Sequence, residues 1–169
     1  MGDAVRLAVA LTVALGSAGC SDEDCPATWV TEVDAQGGAL LAGWGASDDA
    51  WFVGGGLDTG GARIARWDGR VATDVSIERE ETLWWVWGSA TGTIWTVGDG
   101  GLVLRGGDDG LVALVSGTTA TLYGVWGSAD DDVWIVGAAG TVLRWDGARL
   151  RDASPPVPGV TLFKVWGAS

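Results

Sequence analysis

Short apolar runs alternate with turn-forming polar stretches along most of the chain, and the pattern is clearest between residues 121 and 153. Residues 121–127 (TLYGVWG), 133–136 (VWIV) and 141–145 (TVLRW) are apolar runs of strand length. They are separated by 128–132 (SADDD), whose short polar side chains satisfy local backbone, and by the glycine-bracketed 137–140 (GAAG). After the hairpin dipeptide Asp146-Gly147, residues 148–153 (ARLRDA) alternate polar and apolar positions. The pattern predicts four strands with an apolar middle and a polar margin. That gradient is expected where neighbouring sheets cover the inner strands on both faces and only the outermost strand meets water.

The same phrase recurs. Residues 82–118 carry LWWVWG, TIWTVG, LVLR and LVALV, and residues 39–77 carry AWFVG and RIARWDG. Aligning the phrase superimposes Trp44, Trp87, Trp126 and Trp166, at intervals of 43, 39 and 40 residues. A period of about 40 with four strands per unit is the signature of a β-propeller blade. The prediction is an all-β chain: four-stranded antiparallel blades over about 39–81, 82–120 and 121–160. Partial units flank them, a first strand at 161–169 and an isolated strand at 28–33 (TWVTEV). The repeat region, 28–169, reads as an incomplete propeller, or as one that copies of the chain complete by self-association. Two turns depart from the repeat. GGDDG (106–110) is two residues longer than its counterpart, with Gly106 where Trp67 and Trp145 stand, and GGLDTGG (55–61), centred on Asp58, is longer by a net four.

The repeat also sorts the candidate chemistry. Of 12 tryptophans, Trp44, Trp87, Trp126 and Trp166 form one column, Trp51, Trp95 and Trp134 a second, and Trp67 and Trp145 a third. These are expected in the core between blades. Trp84 shares an apolar column with Leu41, Tyr123 and Phe163. Trp85 aligns with Ala42, Gly124 and Lys164, a column too variable for core, and is a candidate stacking platform for a sugar or aromatic group. The competing reading is an exposed tryptophan with no ligand. Trp29 and Asp58 are further candidates outside the repeat pattern. Arg66, Arg105 and Arg144 recur on the third strand, and a ring of guanidinium groups would bind a carboxylate bidentately. The competing reading, favoured because the arginine repeats with the scaffold, is ion pairing with repeat aspartates such as Asp68 and Asp146. Asp48-Asp49 and 130–132 offer oxygen ligands for calcium, but the middle unit has Thr-Gly-Thr (91–93) there, so solvated turns are the favoured reading and no metal site or cofactor is expected.

Composition narrows the function classes. The 29 glycines against 4 prolines fit tight turns between strands and disfavour helix. A formal charge of −12, from 22 acidic and 10 basic residues, repels nucleic acid, whose binding rests on Lys and Arg. With no histidine, the commonest general base and zinc ligand are missing. No catalytic set can be placed on positions outside the repeat, so the chain is not expected to be an enzyme.

Residues 1–19 read as a secretory signal: Arg6 precedes the apolar run LAVALTVAL (7–15), too short to span a bilayer, and small residues follow. Ala18-Gly19-Cys20 resembles the end of a bacterial lipobox, which implies acylation of Cys20. Under that reading 20–27 is a short acidic tether, the bilayer is a partner, and Ser21 in place of aspartate implies delivery to the outer membrane. The alternative is a disulfide between Cys20 and Cys25 after ordinary cleavage.

VWGSADDDVWIVG followed by GTVLRWDG resembles the tandem propeller repeats of secreted bacterial lipoproteins, and more distantly the Asp-box propellers of sialidases and photosystem assembly factors. Ser128, Asp130 and Trp134 echo the Asp-box. The resemblance implies a binding or scaffolding module for protein or glycan. The alternatives are a fragment of a carbohydrate-active propeller enzyme with catalytic groups elsewhere, and a truncated product without function. Tyr123, the single tyrosine, sits in the apolar column, so no catalytic residue carries over from sialidases.

Overall fold

The computed structural model describes residues 38–56, 61–75, 77–156 and 159–168. Twelve strands form three antiparallel sheets, each strand pairing with the next in sequence. The first sheet holds β1 (Gly38–Ala46), β2 (Asp49–Gly56), β3 (Ala62–Trp67) and β4 (Ala72–Asp74). The second holds β5 (Leu83–Gly88), β6 (Ile94–Gly98), β7 (Val103–Gly107) and β8 (Gly110–Leu114). The third holds β9 (Leu122–Ala129), β10 (Asp132–Gly137), β11 (Val142–Trp145) and β12 (Leu150–Asp152). Among the described residues there is no α-helix, and the three sheets are the three blades that the repeat predicts.

The apolar runs become the inner strands for the expected reason. β6 is buried along its whole length, because blades lie against both of its faces. The core is accordingly two layers between blades. Trp51, Val53 and Ile64 of blade 1 pack with Leu83, Val86, Ile94 and Leu104 of blade 2. Trp95, Val97 and Val103 from the other face of blade 2 pack with Leu122, Val125, Ile135 and Trp145 of blade 3. The period-2 alternation of a strand is what lets one blade serve two layers.

The first tryptophan column makes a recurring joint. The ring of Trp44 lies over Gly88 of the next blade, Trp87 over Gly127, and Trp126 over Gly167. A Cβ at those glycines would come within 2.5, 2.8 and 2.8 Å of the ring, so only glycine admits the indole. The Trp-Gly pairs of the second and third copies, Trp87-Gly88 and Trp126-Gly127, therefore each take part in two successive joints. Residues 159–168 carry the next pair. They lie on the open face of blade 3, with the Leu162 N–H donating to the Gly137 carbonyl at 3.0 Å, but join none of the three sheets.

Two expectations need correction. The 106–110 turn is not a longer loop: Gly107 pairs with Gly110 across a two-residue Asp108-Asp109 turn, so the additional residues lengthen β7 and β8. The outer strands are also not uniformly polar. β4 (ATD) and β12 (LRD) are short and polar, but β8 (GLVAL) runs five residues and leaves Val112 exposed, with Val115 just beyond it. Leu111 and Leu114 of β8 turn inward, one toward each core layer, which accounts for the apolar composition of that strand.

Candidate binding surfaces

The three arginines occupy one position on the third strand of each blade. Cross-strand register places each directly opposite the second-strand tryptophan of its own blade: Arg66 with Trp51, Arg105 with Trp95, Arg144 with Trp134. Each guanidinium lies over that ring, at 5.5, 5.4 and 5.2 Å from the centroid. Arg66 donates from Nε to Asp49 at 2.9 Å and pairs through Nη1 with Asp108 of blade 2 at 2.8 Å. The Asp49 hydrogen bond raises the Arg66 pKa above its ordinary value. Arg144 pairs with Asp132 at 2.8 Å. The acids that meet the column are thus those of the first hairpin, Asp49 and Asp132, together with Asp108; Asp68 and Asp146 chiefly accept from their own hairpins.

Blade 2 has Thr93 where its neighbours have Asp49 and Asp132, and Arg105 is held differently. Its guanidinium lies between two indoles, Trp95 and the Trp145 of blade 3, each 5.4 Å away, and its Nε has no hydrogen-bond partner among the described residues. Asp130 of blade 3 reaches across instead, accepting from Thr91 of blade 2. Hydrogen bonds from Ser89 and Thr91, more than the charge of Arg105, lower the Asp130 pKa.

Trp85 is half-buried against the second core layer, and the Lys164 ammonium lies over its ring. Burial there lowers the Lys164 pKa. Lys164 reaches Trp85 because Gly124, the blade 3 residue between them in the column, has no side chain; a Cβ there would meet the Phe163 carbonyl at 2.9 Å. The candidates Cys20, Trp29 and Asp58 lie outside the described residues, as do the signal, the tether and the 28–33 strand.

Sequence reasoning passed over Asp99. Its carboxylate accepts from Trp84 Nε1 at 2.8 Å and from Thr121 Oγ1 at 3.1 Å, tying blade 2 to the start of blade 3. Beside it Trp84, Tyr123 and Phe163 form a stack from blade to blade, with centroid separations of 5.6 and 5.0 Å. The available signal was an acid at Asp99 where the third unit has Ala138.

Among the described residues, two concavities bear on function. A small cleft of about 70 Å³ opens between blades 1 and 2, beside Trp51, Arg66, Asp108 and Leu111. In the next layer Trp145 packs edge-on against Trp95 at 5.4 Å, whereas blade 2 has Gly106 at the position of Trp145. The larger is an open groove of about 680 Å³ along the end of β8. Arg79 and Glu81, paired at 3.7 Å, line it together with Gly101, Val115, Gly117 and Thr118. Val115 is 92% exposed there. The lining of the groove combines glycines, the small polar residues Ser116, Thr118 and Thr119 and the apolar Leu102, Ala113, Leu114 and Val115, and among the described residues no group of acids is able to hold a metal.

No protein-family model and no curated protein matches the chain. Solved structures resemble it in fold, among them two of YCF48. YCF48 from Cyanidioschyzon merolae superposes with a TM-score of 0.56 at 15% identity, over 73% of this chain and 42% of that one. A structure of YCF48 bound to D1 peptide superposes with a TM-score of 0.55 at 16% identity, over 74% and 43%. YCF48 is a propeller-type photosystem assembly factor. The fold is that of a β-propeller. The chain spans less than half the length of these two chains, and at such identity the likeness concerns architecture alone.

Proposed function

We propose that the chain is a non-catalytic, lipid-anchored, extracytoplasmic scaffold that binds an extended segment of a partner protein. The observation that carries this reading is the groove beside β8: its volume is that of an ordinary ligand site, and its lining offers main-chain groups and an exposed apolar side chain, which suit a peptide backbone. A propeller of the same architecture bound to a peptide supports the same class of partner. The glycan reading is weaker because the face of Trp85 is already occupied by Lys164. Cys20 is the proposed acylation site and the outer membrane the proposed address.

A displayed random-peptide library selected on the immobilised chain is expected to enrich a shared motif, and binding of the synthetic peptide is expected to fall at least tenfold with Val115→Asp. Enrichment of nothing, or binding untouched by that substitution, would remove the groove from the reading. Metabolic labelling with palmitate should mark the chain and be lost in Cys20→Ser; label retained in the variant would sink the anchor.

A further inference from the structure

Arg66 and Arg105 hold the same place in successive blades but are covered differently. The Arg105 guanidinium has two indoles over it, Trp95 of its own blade and Trp145 of the next, each at 5.4 Å. The Arg66 guanidinium has Trp51 of its own blade at 5.5 Å, and among the described residues no second ring lies over it. The residue of blade 2 that corresponds to Trp145 is Gly106. Register sets Gly106 opposite Leu111 as it sets Trp145 opposite Leu150, and Gly107 follows Gly106 directly. Gly107 and Leu111 both line the cleft of about 70 Å³ beside Trp51 and Arg66, so the cleft adjoins the position that holds an indole in blade 3. Residue 106 itself cannot supply the ring, because a Cβ there would lie 1.9 Å from the Gly110 carbonyl oxygen.

We propose that this cleft takes one aromatic ring from another molecule, which covers Arg66 as Trp145 covers Arg105. The edges of the Arg66 guanidinium are already engaged: Nε and Nη2 donate to Asp49 at 2.9 and 3.4 Å, and Nη1 meets Asp108 at 2.8 Å. Two carboxylates against one guanidinium leave an excess of negative charge, which turns away a carboxylate or phosphate ligand and leaves the guanidinium face for recognition. Such a face attracts a neutral π-system, tryptophan most strongly. Val75 and Leu111 supply apolar contact for the edge of the ring. The cleft is smaller than the about 150 Å³ that encloses a benzene ring, so the ring enters by one edge and stays partly in solvent.

The ring belongs to an aromatic residue of the extended partner segment. Gly110 and Leu111 at the start of β8 line the cleft, and Ala113 and Leu114 at its end line the larger groove, so one strand carries both. Five residues of extended chain cover about 17 Å, which makes a single short segment long enough to reach from one to the other. The source of the ring rests on the peptide reading above; the ring site itself does not.

The test reads the ring first and the segment second. N-acetyltryptophanamide is titrated into the isotope-labelled full chain in mild detergent, with N-acetylleucinamide as the apolar control, and the Arg66 Nε–H resonance is followed by NMR. The tryptophan amide is expected to shift that resonance to saturation and the leucine amide to leave it in place. Val75→Phe narrows the cleft while keeping both acidic partners of Arg66, and should weaken the tryptophan amide at least tenfold in a chain whose spectrum is still that of a folded protein. No shift, a shift matched by the leucine amide, or an affinity unchanged in Val75→Phe would each overturn the ring site. Peptides selected on the chain are then expected to carry an aromatic residue whose replacement by alanine costs at least tenfold in the parent and less than twofold in Val75→Phe. Selected peptides that need Val115 but no aromatic residue would overturn the part of the cleft in partner binding and leave the peptide reading standing. Binding of the tryptophan amide with no peptide enriched would uphold the ring site and remove the peptide as its source.

Discussion

At the scale of single residues, the inter-blade layers hold polar atoms that packing alone keeps in place. Trp95 is fully buried, yet its indole N–H finds no acceptor among the described residues, and Trp145, packed edge-on against it, has the same deficit. Edge-to-face packing and the Arg105 guanidinium compensate. Trp95→Ala should therefore cost about 3–5 kcal/mol in urea unfolding, as large aromatic truncations do. Trp95→Phe, which keeps ring packing and discards the unpaired donor, should cost clearly less. Equal costs would show that the indole itself, and not aromatic packing in general, decides the site. A second residue-scale contrast lies in the turn after the second strand. Gly100 and Ala139 occupy the same turn position, with φ of 64° and 55°. Alanine is strained there and glycine is not, so Ala139→Gly should raise the unfolding midpoint by an amount equivalent to no more than about 1 kcal/mol, partly offset by the freer unfolded chain.

At the scale of elements, the apolar runs and their turn punctuation were enough to place the strands, because a blade strand is short, covered and bounded by glycine or aspartate. The run LWWVWG coincides with β5 from end to end. What the letters did not carry was contact between units one or two repeats apart: the Asp108 contact to Arg66, the Asp130 contact to Thr91, and the Lys164 ammonium over Trp85. Each depends on how one blade faces the next, which periodicity leaves open. Gly106 illustrates the difference. The repeat alone would favour restoring tryptophan at this position, but a Cβ there would lie 1.9 Å from the Gly110 carbonyl oxygen. Gly106→Trp should accordingly lower the thermal midpoint by several degrees rather than raise it, despite the adjacent cleft. A raised midpoint would mean that β8 can shift to accept the ring.

At the scale of the whole molecule, charge and architecture oppose one another. A formal charge of −12 repels itself in the compact state, and a lower net charge would relieve that repulsion. The hairpin acids work the other way. Asp68, Asp130, Asp132 and Asp152 have pKa values lowered from the ordinary 3.8, and Asp146 is held down to about 2, chiefly by its hydrogen bond from Arg151. A carboxylate whose folded pKa is depressed binds protons first in the unfolded chain, so its contribution to stability is present above the unfolded value and lost as pH falls through the folded one. The urea midpoint is therefore expected to change little from pH 7 to about 5 and to fall below about 4. Asp130, which joins two blades, should account for more of that fall than Asp146, which serves one exposed hairpin. Asp130→Asn should flatten the acid limb visibly while Asp146→Asn leaves it nearly as steep. The opposite ranking would place the pH sensitivity within single blades and not in the joints that hold them together.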